Sequence, residues 1–282
     1  MRSAIFYFSQ TGNTEKVAIA IYERLQHAGY SVTPLQLQDK GELREELEGI
    51  ELLGVGFPTF FGYPPPFISD ALKKLKKVKK ASAFVFTTYG GTTAGDSLYE
   101  AASILAKKGY RILGGLKVEA SDNYPQGIAL KINAGRPDGH DLAKAHAFAD
   151  AIVEAHGQGR SIDPERLASS VPIFVKNRGK AHDALLRRMR KHVEGKITFD
   201  KTQCLFCVTC RDTCPTGSIT RGNNLPEFSW KCIDGIRCYQ CVRVCPGKAL
   251  TVEYPGSLED YKKFTALAAE SPEEKERAFF VA

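Results

Sequence analysis

The feature that most constrains this chain of 282 residues is the placing of its eight cysteines, all of which lie between Cys204 and Cys245. Four of them occur in the stretch CLFCVTCRDTCP, which begins at Cys204. The N-terminal segment lacks the long apolar run of a signal peptide, so we expect a cytoplasmic protein. Because disulfides do not persist in a reducing cytosol, so dense a cysteine pattern indicates metal ligation.

The cysteines form two runs with related spacing. The first run consists of Cys204, Cys207, Cys210 and Cys214, and the second consists of Cys232, Cys238, Cys241 and Cys245. Proline follows each run, and the tails CPTGSIT and CPGKALT also match. Three thiolates close in sequence can surround one face of an iron–sulfur cluster, which a fourth from the other run completes. Two four-cysteine zinc sites are the alternative, although zinc usually takes C-x2-C pairs separated by longer spacers.

Residues 197–254 resemble the bacterial-type ferredoxins that carry two [4Fe–4S] clusters. The resemblance implies that the first cluster is bound by Cys204, Cys207, Cys210 and Cys245. It implies that the second cluster is bound by Cys214, Cys238, Cys241 and Cys232. The strict spacing of the family would place the last of these ligands at Gly235, so a longer loop has to bring Cys232 to the cluster.

The residues before the cysteines predict alternating strands and helices. A buried strand at 4–9 is followed by a short polar loop and an amphipathic helix with Val17, Ile21 and Leu25 on one face. Further strands are expected at 31–37, 52–57, 81–88 and 111–119, and helices at 41–48, 66–77, 95–108 and 139–155. Such alternation predicts an α/β fold with a doubly wound parallel sheet, which binds ligands at the carboxyl ends of its strands.

The polar loop reads Ser9, Gln10, Thr11, Gly12, Asn13, Thr14. Its backbone N–H groups and three hydroxyls can bind a phosphate at a helix N-terminus, where the helix dipole also favours an anion. The loop resembles the FMN phosphate loop of flavodoxins, [ST]-x-T-G-x-T, and the resemblance covers residues 1–157. It implies a flavodoxin-like sheet of order 2-1-3-4-5 with bound FMN. A flavodoxin-like fold with an empty or altered flavin site is the alternative.

The flavodoxin resemblance assigns two further loops to the flavin ring. They supply Pro58, Thr59, Phe60, Phe61, Gly62 and Tyr63 after the third strand, and Thr88, Tyr89, Gly90 and Gly91 after the fourth. A loop after the fifth strand adds Asn123 and Tyr124, a pair that often occurs there in fused flavodoxin–ferredoxin proteins. We favour Tyr89 as the stacking residue, while ordinary packing explains any single aromatic side chain equally well.

The two halves are joined by a basic linker, residues 158–196, in a chain of net charge +7. A predicted linker helix has an apolar face of Leu185, Leu186, Met189 and Val193. Its charges indicate either a solvated helix face or a docking surface for an acidic redox partner protein.

No aromatic residues interleave with the charges, so nucleic-acid binding is not expected. No segment of the chain is apolar enough to predict a membrane span. A helical tail is predicted at 255–282.

The combination of both halves resembles the fused flavodoxin–ferredoxin family. This resemblance implies an electron carrier that moves electrons between FMN and two [4Fe–4S] clusters and couples one-electron with two-electron partners. The alternative is a flavoenzyme that reduces or oxidises a small substrate, with Asn123, Tyr124 and Arg136 as possible anchors. The sequence contains no hydrolytic triad, carboxylate pair or HExxH motif, so no residue is assigned a catalytic role.

Overall fold

The computed structural model describes residues 1–36, 49–178, 194–232, 237–254, 256–276 and 278–282. Five parallel strands form the centre of the first domain in the order β2-β1-β3-β4-β5. They are β1 (Arg2–Tyr7), β2 (Ser31–Gln36), β3 (Leu52–Pro58), β4 (Ser82–Tyr89) and β5 (Arg111–Glu119). Strands β3 and β4 are buried along almost their whole length, as expected for parallel strands covered on both faces. The predicted flavodoxin-like order is confirmed.

Helices cover both faces of this sheet. They are α1 (Asn13–His27), α2 (Pro66–Lys74), α3 (Ser97–Lys107) and α5 (Gly139–Gly157), and the short helix α4 (Pro125–Ala129) lies between β5 and α5 in the chain. Val17 of α1 and Phe148 of α5 belong to the core on one face, and Leu72 of α2 and Leu98 of α3 to the core on the other. The helix predicted at 41–48 lies outside the described residues. With both faces buried, the carboxyl edge of the sheet remains for the predicted ligand loops.

The linker begins with a 3-10 turn at Pro164–Leu167 and helix α6 (Pro172–Asn177). The predicted basic helix with its apolar face at Leu185, Leu186, Met189 and Val193 lies outside the described residues. No helix within the described ranges is both long and apolar enough to cross a lipid bilayer.

The second domain is small and consists of two similar halves. Its elements are β6 (Lys196–Phe199), α7 (Thr209–Asp212), β7 (Ile219–Arg221), β8 (Pro226–Phe228), α8 (Gln240–Arg243) and β9 (Leu250–Glu253). Strand β6 pairs with β9 and β7 pairs with β8, both antiparallel. The residue before each short helix, Val208 or Tyr239, has a left-handed backbone with φ 55°. The repeat seen in the two cysteine runs is therefore also a repeat in the backbone.

After the second domain the chain returns to the first. Helices α9 (Leu258–Ala266) and α10 (Pro272–Glu276) are followed by strand β10 (Phe279–Val281). This strand pairs antiparallel with β5 and becomes the sixth strand of the main sheet. The tail predicted as helical therefore contains two helices and then an edge strand, because its last apolar residues complete the exposed side of β5.

Candidate cofactor sites

The loop between β1 and α1 presents the N-terminus of a 15-residue helix. Gly12, the N-cap residue, has φ 82° and has no side chain that could bond to the first turn of α1. The Ser9 hydroxyl accepts from the backbone N–H of Glu15 at 3.2 Å, and the Thr14 hydroxyl bonds to that of Thr88 at 2.8 Å. These bonds fix both hydroxyls and leave each with further hydrogen-bonding capacity. The arrangement fits a phosphate group at the helix N-terminus.

The predicted flavin loops meet at the carboxyl edge of the sheet, where they line two adjoining cavities. The phosphate-side cavity contains Gln10, Thr11, Asn13, Thr14, Pro58, Thr59, Phe60, Thr88, Tyr89, Gly90, Asn123 and Tyr124. The ring-side cavity shares Thr59, Tyr89, Gly90 and Tyr124 and adds Phe61, Gly62 and Gly91. Ser9, Gly12 and Tyr63 line neither cavity. Tyr63 instead packs with Val171 and Phe174 in a separate apolar cluster.

One buried polar group in these walls indicates a ligand. The Tyr124 hydroxyl is buried and has no hydrogen-bond partner within the described part of the chain. Leaving such a group unpaired costs about 1–3 kcal/mol, so native proteins usually satisfy it. FMN carries ring carbonyls and ribityl hydroxyls in addition to its phosphate. The residues present therefore fit FMN, with the phosphate at the loop of α1 and the ring between the loops that follow β3 and β4.

Asp122 is a residue of this site that the sequence analysis missed. It lines both cavities and is 8% exposed. Its carboxylate accepts from the backbone N–H of Tyr124 and from the Tyr261 hydroxyl, each at 2.9 Å. Burial raises the pKa of the Asp122 carboxyl above its usual value, against the lowering effect of both hydrogen bonds. Close packing surrounds it, because a Cβ at Gly90 would lie 2.4 Å from the Asp122 Cα.

The C-terminal tail contributes to the ring-side cavity. Tyr261, Thr265 and Ala268 form part of its wall, and the Thr92 hydroxyl donates to the carbonyl of Thr265 at 2.8 Å. Further along the tail, the Glu270 carboxylate binds the Lys117 ammonium at 2.6 Å, with side chains only 1% and 6% exposed. The same carboxylate accepts from the backbone N–H of Ala94 at 2.8 Å. The tail is therefore anchored to both β5 and the loop after β4.

The two domains meet at the flavin loops. Cys238 lies in the wall of the phosphate-side cavity. The Asn123 amide donates to the Cys238 carbonyl at 2.6 Å, and its oxygen accepts from Arg243 at 3.3 Å. The Tyr124 ring packs edge-on against Tyr239 at 5.3 Å. Asn123 and Tyr124, which the sequence assigns to the flavin, thus also join the first domain to the second.

Arg136, one of the possible substrate anchors, forms its ion pairs within the first domain. Its guanidinium forms ion pairs with Asp141 and with Glu119. The hydrogen bond to Asp141 raises the pKa of Arg136 above its usual value. Arg136 lines neither of the two flavin-side cavities, so its charge serves to hold β5 and the start of α5 together.

The eight cysteines line two separate cavities, four in each. The first set, Cys204, Cys207, Cys210 and Cys245, lines a cavity of about 540 Å³. The second set, Cys214, Cys232, Cys238 and Cys241, lines one of about 20 Å³. All eight are free thiols. The donor chemistry fits iron–sulfur ligation, and the two sets are the ones that the ferredoxin resemblance implies.

The thiols of the two sets differ in their surroundings. Burial is the main cause that raises the pKa of Cys241 to about 12 and that of Cys232 to about 11, and neighbouring cysteines raise both further. In the first set, burial also raises the pKa of Cys210, whereas a hydrogen bond from the Thr209 hydroxyl lowers the pKa of the exposed Cys207. Thiolates are the ligands of iron, so binding at the second set requires the positive charge of the metal to offset burial. Within the described ranges, no three Cys, His, Asp or Glu side chains are arranged to hold a single metal ion.

Comparisons with known proteins agree with both domains. Residues 5–132 match the family model for flavodoxin, and residues 196–246 match that for a 4Fe–4S dicluster domain. The crystal structure of oxidised flavodoxin 1 from Bacillus cereus is 21% identical over 55% of this chain and 98% of its own, with a TM-score of 0.44. Flavodoxin 2 from the same organism is 24% identical over 55% of this chain and 99% of its own, with a TM-score of 0.41.

A larger similar structure is rubredoxin oxygen:oxidoreductase from Desulfovibrio gigas, which is 19% identical over 56% of this chain and 36% of its own, with a TM-score of 0.43. No curated protein matches the sequence.

The first domain is therefore a flavodoxin domain and the second is a 4Fe–4S ferredoxin domain. The chain as a whole therefore has a fused flavodoxin–ferredoxin architecture. Its cofactors are accordingly FMN and iron–sulfur clusters, and its chemistry is electron transfer.

Proposed function

We propose that this chain moves electrons between FMN in the flavodoxin domain and two [4Fe–4S] clusters in the ferredoxin domain, one held by each set of cysteines. The observation that carries the proposal is the position of Cys238, a cysteine of the second set, in the wall of the cavity that the flavin loops form. FMN exchanges one or two electrons and each cluster exchanges one, so the pair couples one-electron with two-electron partners.

The protein's own residues supply binding and position. The loop from Ser9 to Thr14 holds the phosphate, and the loops after β3 and β4 hold the ring. The bond from Asn123 to the Cys238 carbonyl holds the second set against the flavin loops. Bonds of this kind, outside the ligand shell itself, orient ligands and tune the metal.

The structure offers less support to the alternative, a flavoenzyme with a small substrate. Tyr261, Thr265 and Ala268 of the tail occupy one wall of the ring-side cavity. Of the anchors considered for a substrate, Asn123 is bonded to Cys238 and Arg243, and Arg136 to Asp141 and Glu119. An electron carrier needs no substrate anchors, and we therefore propose that role.

The proposal is tested on protein purified without oxygen. Two [4Fe–4S] clusters and one flavin correspond to about eight iron, eight acid-labile sulfide and one FMN per chain. Metal analysis, sulfide analysis and the visible spectrum measure all three. Stoichiometric zinc without sulfide would overturn the cluster assignment, and a chain that binds clusters but no flavin would overturn the coupling.

A further inference from the structure

An apolar patch lies directly over the first set of cysteines. Leu205 and Phe206 stand between the ligands Cys204 and Cys207 and are 63% and 62% exposed. Both belong to the wall of the cavity lined by the first set. Single exposed apolar residues are common on protein surfaces. Two adjacent ones form a contiguous apolar patch, which suits an interaction site when polar or charged residues surround it.

The surroundings of this patch are basic. Arg211 and Arg221 line the same cavity, and none of the described residues that line it is acidic. Lys201 lies three residues before Cys204, and Lys248 three residues after Cys245; both are exposed. The nearby acids are Asp212, which pairs with Arg211 at 2.6 Å, Asp200, and Glu227, whose side chain lies beside Gly222 of the cavity wall. Four cations against three carboxylates leave the rim of the patch with a net positive charge.

The other redox positions are bounded by further parts of the chain. The tail forms a wall of the ring-side cavity through Tyr261, Thr265 and Ala268. The second set lines a cavity of only about 20 Å³, and its Cys238 lies against the flavodoxin domain. In the first set, by contrast, Cys207 is exposed. A protein partner can therefore come closest to a cysteine ligand at the first set.

We propose that this surface docks an acidic protein that carries one electron. The first-set face consists of Leu205 and Phe206 with Lys201, Arg211, Arg221 and Lys248 around them. The partner that fits has an apolar centre ringed by carboxylates, because such a surface matches both the patch and its rim. This inference rests on the proposed function. In the exchange the reduced partner loses one electron and the centre held by the first set gains it, and no bond forms or breaks.

The test measures binding of the full chain, prepared with its clusters, to two probe proteins of opposite charge. An acidic plant-type [2Fe–2S] ferredoxin is the matching probe, and cytochrome c, which is basic, is the opposite one. Surface plasmon resonance at low and high salt gives both affinities. The acidic probe is expected to bind at least about tenfold more tightly at low salt than at high salt, since surface charges are screened as salt rises.

Charge variants distinguish binding at the first-set face from attraction by the overall positive charge of the chain. K201E/R221E is expected to weaken binding of the acidic probe about tenfold, and the control K76E/K107E, with the same charge change on exposed residues of the flavodoxin domain, less than twofold. Phe206→Asn removes apolar area at a position with φ 55°, which Asn tolerates, and is expected to weaken binding at both salt concentrations.

Equal losses in the two charge variants, or tighter binding of the basic probe, would overturn the docking proposal. Iron and sulfide analysis of the same samples keeps the two proposals apart. Full clusters with no face-dependent binding refute the docking surface alone, whereas absent clusters refute the proposed function on which it rests.

Discussion

The two sets of four cysteines come from similar runs of sequence but lie in different surroundings. The first set lines a wide cavity beside exposed Leu205 and Phe206. The second set lines a narrow one, and one of its members contacts the flavodoxin domain. Burial raises the pKa values of Cys232 and Cys241, whereas that of Cys207 is lowered by a hydrogen bond. The spacing of the cysteines therefore determines what each set can bind. The packing around each set determines with which neighbour it can exchange electrons.

The largest effects are expected when one cysteine is removed from each set, and they test whether the two sets differ in their distance from the flavin. Cys204→Ala and Cys232→Ala are each expected to abolish one cluster and to lower the iron content by about half. Only C232A should raise the fluorescence of bound FMN, because the cluster that quenches it lies at the flavin loops. Iron analysis and flavin fluorescence check both variants. If C204A raised the fluorescence as much as C232A, the second set would not be the one beside the flavin.

Variants that release FMN test whether flavin binding is independent of the two sets of cysteines. The double variant T11A/T14A is expected to weaken FMN binding at least about a hundredfold, since each hydrogen bond to a charged group contributes about 1.5–3 kcal/mol. Both clusters should remain, and riboflavin, which has no phosphate, should bind the variant about as well as the unchanged protein. Fluorescence titration measures both affinities.

Thr14 is also bonded to Thr88, so a second variant has to show how much the loss of that contact contributes. Thr88→Ala removes the contact and keeps both loop hydroxyls; because Thr88 also lines the phosphate-side cavity, we expect a loss of FMN affinity that is smaller than in the double variant. An unchanged FMN affinity in T11A/T14A would place the phosphate elsewhere.

The smallest expected effect concerns the contact between the domains. Asn123→Ala removes the bond to the Cys238 carbonyl, and a neutral hydrogen bond contributes about 0.5–1.5 kcal/mol. Docking of the second set on the flavin loops should weaken by about tenfold or less, with the first set unaffected. Asn123→Asp also loses this bond, because a carboxylate cannot donate to the carbonyl, but it keeps an acceptor for Arg243, so a similar loss in both variants would assign the effect to the bond with Cys238. Stopped-flow absorbance of the flavin during internal electron exchange checks this result. A rate unchanged in both variants would show that Asn123 does not position Cys238.

Much of the fold follows from local sequence patterns. The strand order depends on alternating buried strands and amphipathic helices, and three of the four cysteines in each set follow from the spacing within one run. The loops after β1, β3 and β4 meet because parallel strands end at one edge of the sheet. Each of these features is encoded over a few neighbouring residues, so the sequence predicts it.

Other features depend on contacts between distant segments. Asp122 gains its role from Tyr261, 139 residues away, and Glu270 meets Lys117 across 153 residues. No local pattern marks either pair. The same holds for Asn123, whose bond to Cys238 spans 115 residues, and for Tyr63, whose sequence neighbours suggested a flavin contact but which packs with Phe174.

Strand β10 has a consequence for how the ferredoxin domain can move. Because this strand is part of the flavodoxin sheet, the ferredoxin domain is attached at both ends, by the linker before it and the tail after it. A module held at one end samples a wide volume, whereas a closed loop confines it. The confinement keeps the effective concentration of the second set at the flavin loops high. Weak contacts such as the one from Asn123 are then sufficient to keep the two domains together.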